Sequence, residues 1–399
     1  MTSSETCPQS LPRAAWTQRP DLAQLIAALG PGNARWVGGA VRDTLLGYAV
    51  KDVDCATRLL PDQVVERLNA AGIRHAPTGI EHGTITAILP GGAVEITSLR
   101  RDVATDGRRA TIVYAQDWHE DAARRDFTIN ALYAHPESLE IFDYFGGLAD
   151  LATCQVRFIG DPHDRIREDH LRILRYFRFQ ARFGARLDDA AEAACAELRD
   201  TLKGLSRERV AMELLNLLSL PDPAPTVARM HQLGVLQVVL PEAGGAEIAA
   251  LKSLIVAERV AEIPPDALRR MAALLPPVPA VAESVAARLR LSNRQRQRLG
   301  LVAERAPEDA ANPRALAYRA GRQCAEDRLL LLGADISALA GWEIPAFPLK
   351  GGTIVTRGVK AGPEVARIMH AVESRWVAEG FPPQDRLDTL LQEALSGNL

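Results

Sequence analysis

The sequence predicts an α+β protein, with a mixed-sheet head over residues 31–150 followed by an all-helical remainder. Three observations carry this expectation. The chain has 399 residues, more than the roughly 250–300 at which single cores stop growing, so several domains are expected. Up to residue 150, short alternating apolar runs are interleaved with helical spacings and Gly/Pro turns, as in a sheet with helices packed on it. Beyond 151 the texture changes to Leu, Ala, Arg and Glu at helical spacing, broken by Pro and Gly.

The elements follow in order. Residues 1–30 read as an N-terminal extension ending in a short amphipathic helix, DLAQLIAAL. RWVGGAV is a strand entering a glycine turn, and KDVDCAT a second strand. PDQVVERLNAAG has helical spacing at Val64, Val65 and Leu68 and a glycine stop. GTITAIL and AVEITSL alternate on either side of Pro90-Gly91-Gly92, a hairpin signal. RDVATDGRRATIVYAQDWHEDAA is polar and without period, and reads as a loop over the site or a surface connection. RIREDHLRILRYFRFQARF (165–183) reads as one helix with an apolar stripe at Ile166, Ile173, Leu174, Phe177 and Ala181. PDPAP at 221–225 and IPPDA at 263–267 break the helical part. The expected units are a helical neck over 151–220, a body over 221–330 and a tail over 331–399.

The formal charge of −3 does not advertise a nucleic-acid partner, although a near-neutral total leaves room for a basic stripe. Residues 157–182 are such a stripe, with seven arginines against four acids. The five cysteines are widely spaced, without metal-ligand spacing, and suit free thiols in a reducing compartment. The first residues lack a basic patch followed by an apolar stretch. No window reaches the roughly 18 apolar residues needed to span a membrane. The expectation is a cytoplasmic protein without a membrane segment. No protein partner is predicted.

The chemistry concentrates in the head. Asp52 and Asp54 flank Val53 and so share one side of a strand. Two carboxylates this close stay ionised only beside cationic charge. All-oxygen ligands favour Mg²⁺, with Mn²⁺ as the alternative, over zinc. Glu95 becomes a third carboxylate of the site if its strand neighbours that of Asp54; otherwise it is an exposed strand acid. Gly38 and Gly39 let backbone N–H groups approach a phosphate, and Arg42 adds a guanidinium fork. Arg124 and Arg125 suit a triphosphate, Asp126 can orient an arginine, and Asn130 can bind a sugar or phosphate oxygen. Taken singly, a D-x-D, a Gly-Gly or an Arg-Asp step is more often ordinary surface structure. The combination in a strand–turn–strand context is what points to a site.

GGAVRDTLLG, KDVDCAT, RRDFTINAL, FDYFGGLADL and RFIGDPHDRIREDHLRILRYFRF follow one another in this order. This series resembles the successive motifs of the bacterial-type (class II) CCA tRNA nucleotidyltransferase and poly(A) polymerase family, over residues 33–220. The resemblance implies a polymerase β-like nucleotidyltransferase head and a helical neck, body and tail. It implies metal ligation by Asp52 and Asp54, nucleotide contact by Gly39 and Arg42, and tRNA, CTP and ATP as substrates.

The neck then gains a meaning. Asp169 and Arg172, three apart, are expected on one helical face, with Arg165 and Tyr176 beside them. An aspartate accepting from a base amino group and an arginine donating to a ring acceptor would imitate a pairing base. Cytosine and adenine satisfy both groups; uracil and guanine present a carbonyl where the amino group is needed. The resemblance gives this role to Glu168, Asp169 and Arg172, and extends it to Arg175 and Arg178. Ser206 is an expected N-cap, with Arg207 and Arg209 supporting the neck. RLRLSNRQRQRLG (288–300) is basic and is either an RNA contact or a solvated face. In the C-terminal segment the family commonly has an acid after the glycine pair, where Thr353 stands here. The expected activity is addition of C, C and A to a tRNA 3′ end. The alternatives are a poly(A) polymerase, a CC-only or A-only enzyme and, more distantly, an inactive RNA-binding homologue.

Overall fold

The computed structural model describes residues 10–105, 110–184 and 186–396. The chain forms two compact units, Met1–Leu217 with Pro225–Val239, and Leu218–Ala224 with Leu240–Leu399.

The first unit opens with α1 (Pro20–Leu29). Pro20 pre-sets its first turn, Gly30 ends it at φ 83°, and Leu22, Leu25, Ile26 and Leu29 are buried. The segment before it is sewn onto the head: the Trp16 indole N–H donates to Thr44 Oγ1 at 2.8 Å and Asp21 Oδ2 accepts from Gly91 N at 2.7 Å. There follow β1 (Ala34–Val37), α2 (Gly39–Leu45), β2 (Val53–Thr57), α3 (Pro61–Ala70), β3 (His75–Gly79), β4 (Thr84–Leu89) and β5 (Gly92–Ser98). The hairpin of β6 (Arg100–Thr105) and β7 (Ala110–Tyr114) comes next, then α4 (Trp118–Ala123), β8 (Leu132–Ala134) and β9 (Ile141–Asp143).

Seven strands form one sheet in the order β3-β4-β5-β2-β1-β8-β9. Among these, β2 and β5 are the parallel pair, with Asp54 opposite Glu95. The remaining neighbours are antiparallel. In β5, Val94 and Ile96 are buried and Glu95 is exposed, so the alternation of the sequence is the alternation of the faces. The face bearing Val37, Ala56 and Tyr133 packs against Leu99, Trp118 and Ala122.

Two expectations are corrected here. The stretch 101–123 is no loose connection but the β6–β7 ribbon and α4, whose start Asp117 caps by accepting from His119 N at 3.1 Å. A two-stranded ribbon need not bury a face, so its sequence need not alternate. The Asp106-Gly107 pair is a hairpin signal, and it lies outside the described residues. The segment 165–183 is two helices, α6 (Pro162–Glu168) and α7 (Arg172–Phe183), following α5 (Gly147–Ala152). Asp169 breaks them with extended backbone, φ −147° and ψ 103°. The unit continues with α8 (Asp189–Leu198), α9 (Arg207–Leu218), α10 (Ala224–Gln232) and α11 (Val235–Val239).

The second unit is helical: α12 (Gly245–Val260), α13 (Ala267–Ala273), α14 (Pro279–Arg288), α15 (Asn293–Ala303), α16 (Pro313–Ala320) and α17 (Arg322–Leu331), then α18 (Gly351–Thr356), α19 (Pro363–Ala378) and α20 (Gln384–Leu395). Its core carries a buried ionic lattice. Arg269 bridges Glu258 at 3.0 Å and Asp327 at 2.9 Å, and Arg298 joins Asp327 at 2.7 Å to Asp266 at 3.0 Å. Arg298 and Arg288, the latter paired with Glu242, therefore belong to the scaffold, while Arg294 and Arg296 of the same basic segment are exposed. The last three helices close around Ile354, Ile368, Val372, Trp376, Leu387 and Leu391. Among the described residues no helix is long and apolar enough to cross a membrane.

Candidate active site

The acidic centre rests on β2 and β5. Asp52 lies just before β2 and is exposed, and Asp54 is half-buried within it. Burial, then the nearby charge of Glu95 and of Asp52, push the Asp54 carboxyl up to about 6, against the opposing pull of Arg125. Among the described residues, no three Asp, Glu, His or Cys side chains converge to enclose an ion. Asp52 and Asp54 thus offer an open, two-carboxylate seat. That donor set fits Mg²⁺, which commonly takes one or two carboxylates and completes its shell with water and substrate phosphates.

The glycine turn lies between β1 and α2. Gly38 has φ 68° and ψ −122°, a conformation that L side chains rarely adopt. Arg42, one turn into α2, is buried. It donates from Nη1 to Asn130 Oδ1 at 2.5 Å and from Nε to Asp43 Oδ1 at 2.8 Å. Asn130 Nδ2 donates to Asp126 Oδ1 at 2.9 Å, and Arg175 donates to Asp126 Oδ2 from Nε at 2.8 Å and Nη2 at 2.5 Å. Arg182 donates to Asp43 Oδ2 at 2.8 Å. One chain of polar contacts thus runs Arg182–Asp43–Arg42–Asn130–Asp126–Arg175, fastening the glycine turn to α7. Burial alone would raise Asp126; Arg175 and Asn130 outweigh it and hold the carboxyl near 2.

Arg124 and Arg125 converge on Asp121, which is 1 % exposed. Arg124 Nε donates to Oδ1 at 2.8 Å, Arg125 Nη2 to Oδ2 at 3.2 Å, and the Tyr133 hydroxyl to Oδ2 at 2.7 Å. Burial raises Asp121, but the two guanidinium charges prevail and hold it at about 2. Arg125 also borders the glycine turn, since a Cβ on Gly38 would lie 3.6 Å from its Nη1.

At the neck break the structure corrects the expected pairing. Asp169 and Arg172 do not lie on one helical face, because Asp169 sits outside both helices. Its Oδ1 accepts from Leu171 N at 3.1 Å, and this local bond competes with helix continuation. Its Oδ2 accepts from Arg209 Nη2 of α9 at 2.8 Å. Arg172 donates from Nη1 to Glu168 at 2.7 Å and to the Arg165 carbonyl at 2.9 Å, and from Nη2 to the Arg124 carbonyl at 2.8 Å. Arg178 pairs with Glu213 at 2.6 Å. Tyr176 does not flank the polar face; it is buried beside Phe158 and Phe177.

Three partners escaped sequence reasoning: Asp121, Arg182 and Glu213. Asp121 was detectable, because it precedes Arg124 and Arg125 by three and four residues on a helix. Arg182 meets Asp43 from 139 residues away and Glu213 meets Arg178 from 35, and no local spacing signals either pairing.

The chain is similar to known proteins. Residues 34–157 match the family described as "Poly A polymerase head domain", and residues 184–244 that described as "Probable RNA and SrmB- binding site of polymerase A". The mitochondrial CCA tRNA nucleotidyltransferase 1 of Mus musculus is 34% identical over 374 residues, covering 87% of this chain and 83% of that protein. The Bacillus stearothermophilus CCA-adding enzyme in complex with CTP superposes with a TM-score of 0.71 at 22% identity, over 95% of this chain and 99% of that one. The Thermotoga maritima CCA-adding enzyme complexed with tRNA gives 0.70 at 19% identity, over 95% and 96%. At these identities the superpositions establish the fold, a nucleotidyltransferase head with helical units after it. The mouse relative, matched along most of both sequences, establishes descent: the chain belongs to the CCA tRNA nucleotidyltransferases.

Proposed function

We propose that the chain adds C, C and A to the 3′ end of tRNA from CTP and ATP, without a nucleic-acid template and with release of pyrophosphate. The observation that carries this reading is the register that sets Asp54 opposite Glu95, two residues from Asp52, within the same compact unit as the Asp169/Arg172 break. Family membership supports the tRNA substrate, as do the titles of the solved relatives, which name CTP and tRNA.

In this reading Asp52 and Asp54 hold Mg²⁺, for which Mn²⁺ can substitute, and Glu95 borders them. Held there, the metal would supply Lewis-acid activation of the RNA 3′-hydroxyl and positive charge for the leaving pyrophosphate. Gly38 and Gly39 open the turn to the triphosphate, with Arg42, Arg124 and Arg125 as its cationic wall. Asp126 and Asn130 hold Arg42 and Arg175 in place. Asp169 and Arg172 read the base edge, with Arg175 and Arg178 behind them. Residues 31–150 act as the head, 151–220 as the neck, and 221–330 and 331–399 as body and tail engaging the RNA. The four described cysteines are free, which supports a reducing, cytoplasmic setting.

The test is extension of a tRNA lacking its CCA end, with Mg²⁺ and CTP, ATP or both. Two C additions with CTP alone, completed by one A with ATP, is the expected result. A long A tail without C incorporation overturns it in favour of a poly(A) polymerase.

A further inference from the structure

We propose that Arg209 is a positioning residue for nucleotide selection: it holds the Asp169 carboxylate in the orientation that discriminates cytosine from uracil. The inference rests on the base-reading role of Asp169 proposed above. Asp169 stands on extended backbone between α6 and α7, without helical neighbours to fix its side chain. Two contacts orient it, the Leu171 N–H on Oδ1 and the Arg209 guanidinium on Oδ2. A carboxylate has about four lone-pair sites, so one on each oxygen stays available for a base amino group.

Competing cations stand close. Arg172 is three residues on, and Arg175 feels the Asp169 charge. Without Arg209, only the Leu171 N–H holds the Asp169 carboxylate, and its Oδ2 is open to either one. Pairing with Arg172 would join the two base-reading groups to each other and remove both from the base. Arg172 is protected from the opposite side, because Glu168 and two backbone carbonyls take three of its five N–H donors. Arg209 lies 40 residues from Asp169 in the chain, on α9, so α9 acts as a backing for the selection site rather than as a neighbouring helix alone. Its neighbour Arg207 makes a different contact, with the Lys203 carbonyl, and serves as the internal control.

The experiment measures kcat/KM for CTP and UTP on a tRNA lacking CCA, with wild type, Arg209→Ala, Arg209→Lys, Arg207→Ala and Asp169→Ala. The expected result is a CTP/UTP preference reduced about tenfold in Arg209→Ala, the size of one partly exposed charge-assisted hydrogen bond. Arg209→Lys recovers part of it and Arg207→Ala leaves it intact. A merely structural role would lower both nucleotides together, and that outcome overturns the proposal. So does an unchanged preference in Arg209→Ala when Asp169→Ala loses it. If Asp169→Ala itself keeps the preference, the base-reading role has failed instead. Arg209→Lys, read beside thermal melts, keeps the question decidable if Arg209→Ala does not fold.

Discussion

Two groups of acids in the head solve opposite electrostatic problems. Asp54 stands beside Glu95 and Asp52, and burial together with their negative charge pushes it up to about 6. Asp126 and Asp121 are more deeply buried, yet each is held near 2, because arginines face it directly. Burial therefore does not decide the state of a carboxylate here; the partner does. The first group is left open to an external cation. The second builds the frame that keeps the glycine turn and α7 in register with it.

Four substitutions or conditions sharpen this contrast. The largest effect belongs to Asp54→Ala, which should cut nucleotide transfer by about a thousandfold or more. Calorimetry of the metal-free protein should show no loss of stability, since a half-buried, under-neutralised charge has gone. A clear fall in melting temperature would mean that Asp54 is part of the frame after all. Next is Asp126→Ala, which strands Arg175 and releases Asn130. A cost of about 3 kcal/mol in urea unfolding is expected, with weaker nucleotide binding as its companion.

Acid titration gives the third effect. Asp121 and Asp126 have folded-state values below the ordinary 3.8. The unfolded chain therefore takes up their protons first, and the stability they contribute is complete above about 4 and lost as the pH falls toward 2. Circular dichroism should show a steep acid transition in that window, which Asp121→Asn flattens. The smallest effect belongs to Arg367→Ala. Its partner Glu364 is more than half exposed, as is Arg367 itself, and no measurable change in melting temperature is expected.

The head was legible because its signals are local. Gly91-Gly92 between alternating runs marks β4 and β5, and Pro61 with Gly72 brackets α3. Gly38 announced a positive φ that the structure supplies. The neck break was not legible, because Ile166, Ile173, Leu174 and Phe177 keep a helical period straight across it. All four are buried, so burial drew the same stripe through two helices. What interrupts them is one side chain, Asp169, capturing the Leu171 N–H and a guanidinium 40 residues away. The arginines were recognisable as a basic stripe, but their partners were not. Asp126 was expected to orient an arginine, but which one was not readable, since Arg175 is 49 residues away; Glu213 reaches Arg178 from 35 residues away.

The register of β2 against β5 has a consequence for how errors show themselves. Asp54 faces Glu95 only while Val94 and Ile96 point into the core. A slip of one residue would put Glu95 into the hydrocarbon interior and an isoleucine among the acids. A misaligned chain is therefore an unstable one, and the greasy side of the strand acts as the key by which the acidic side is kept in step. Any insertion tolerated between these strands must fall in the loops. Drift in the connecting region can change its length without moving the acids apart.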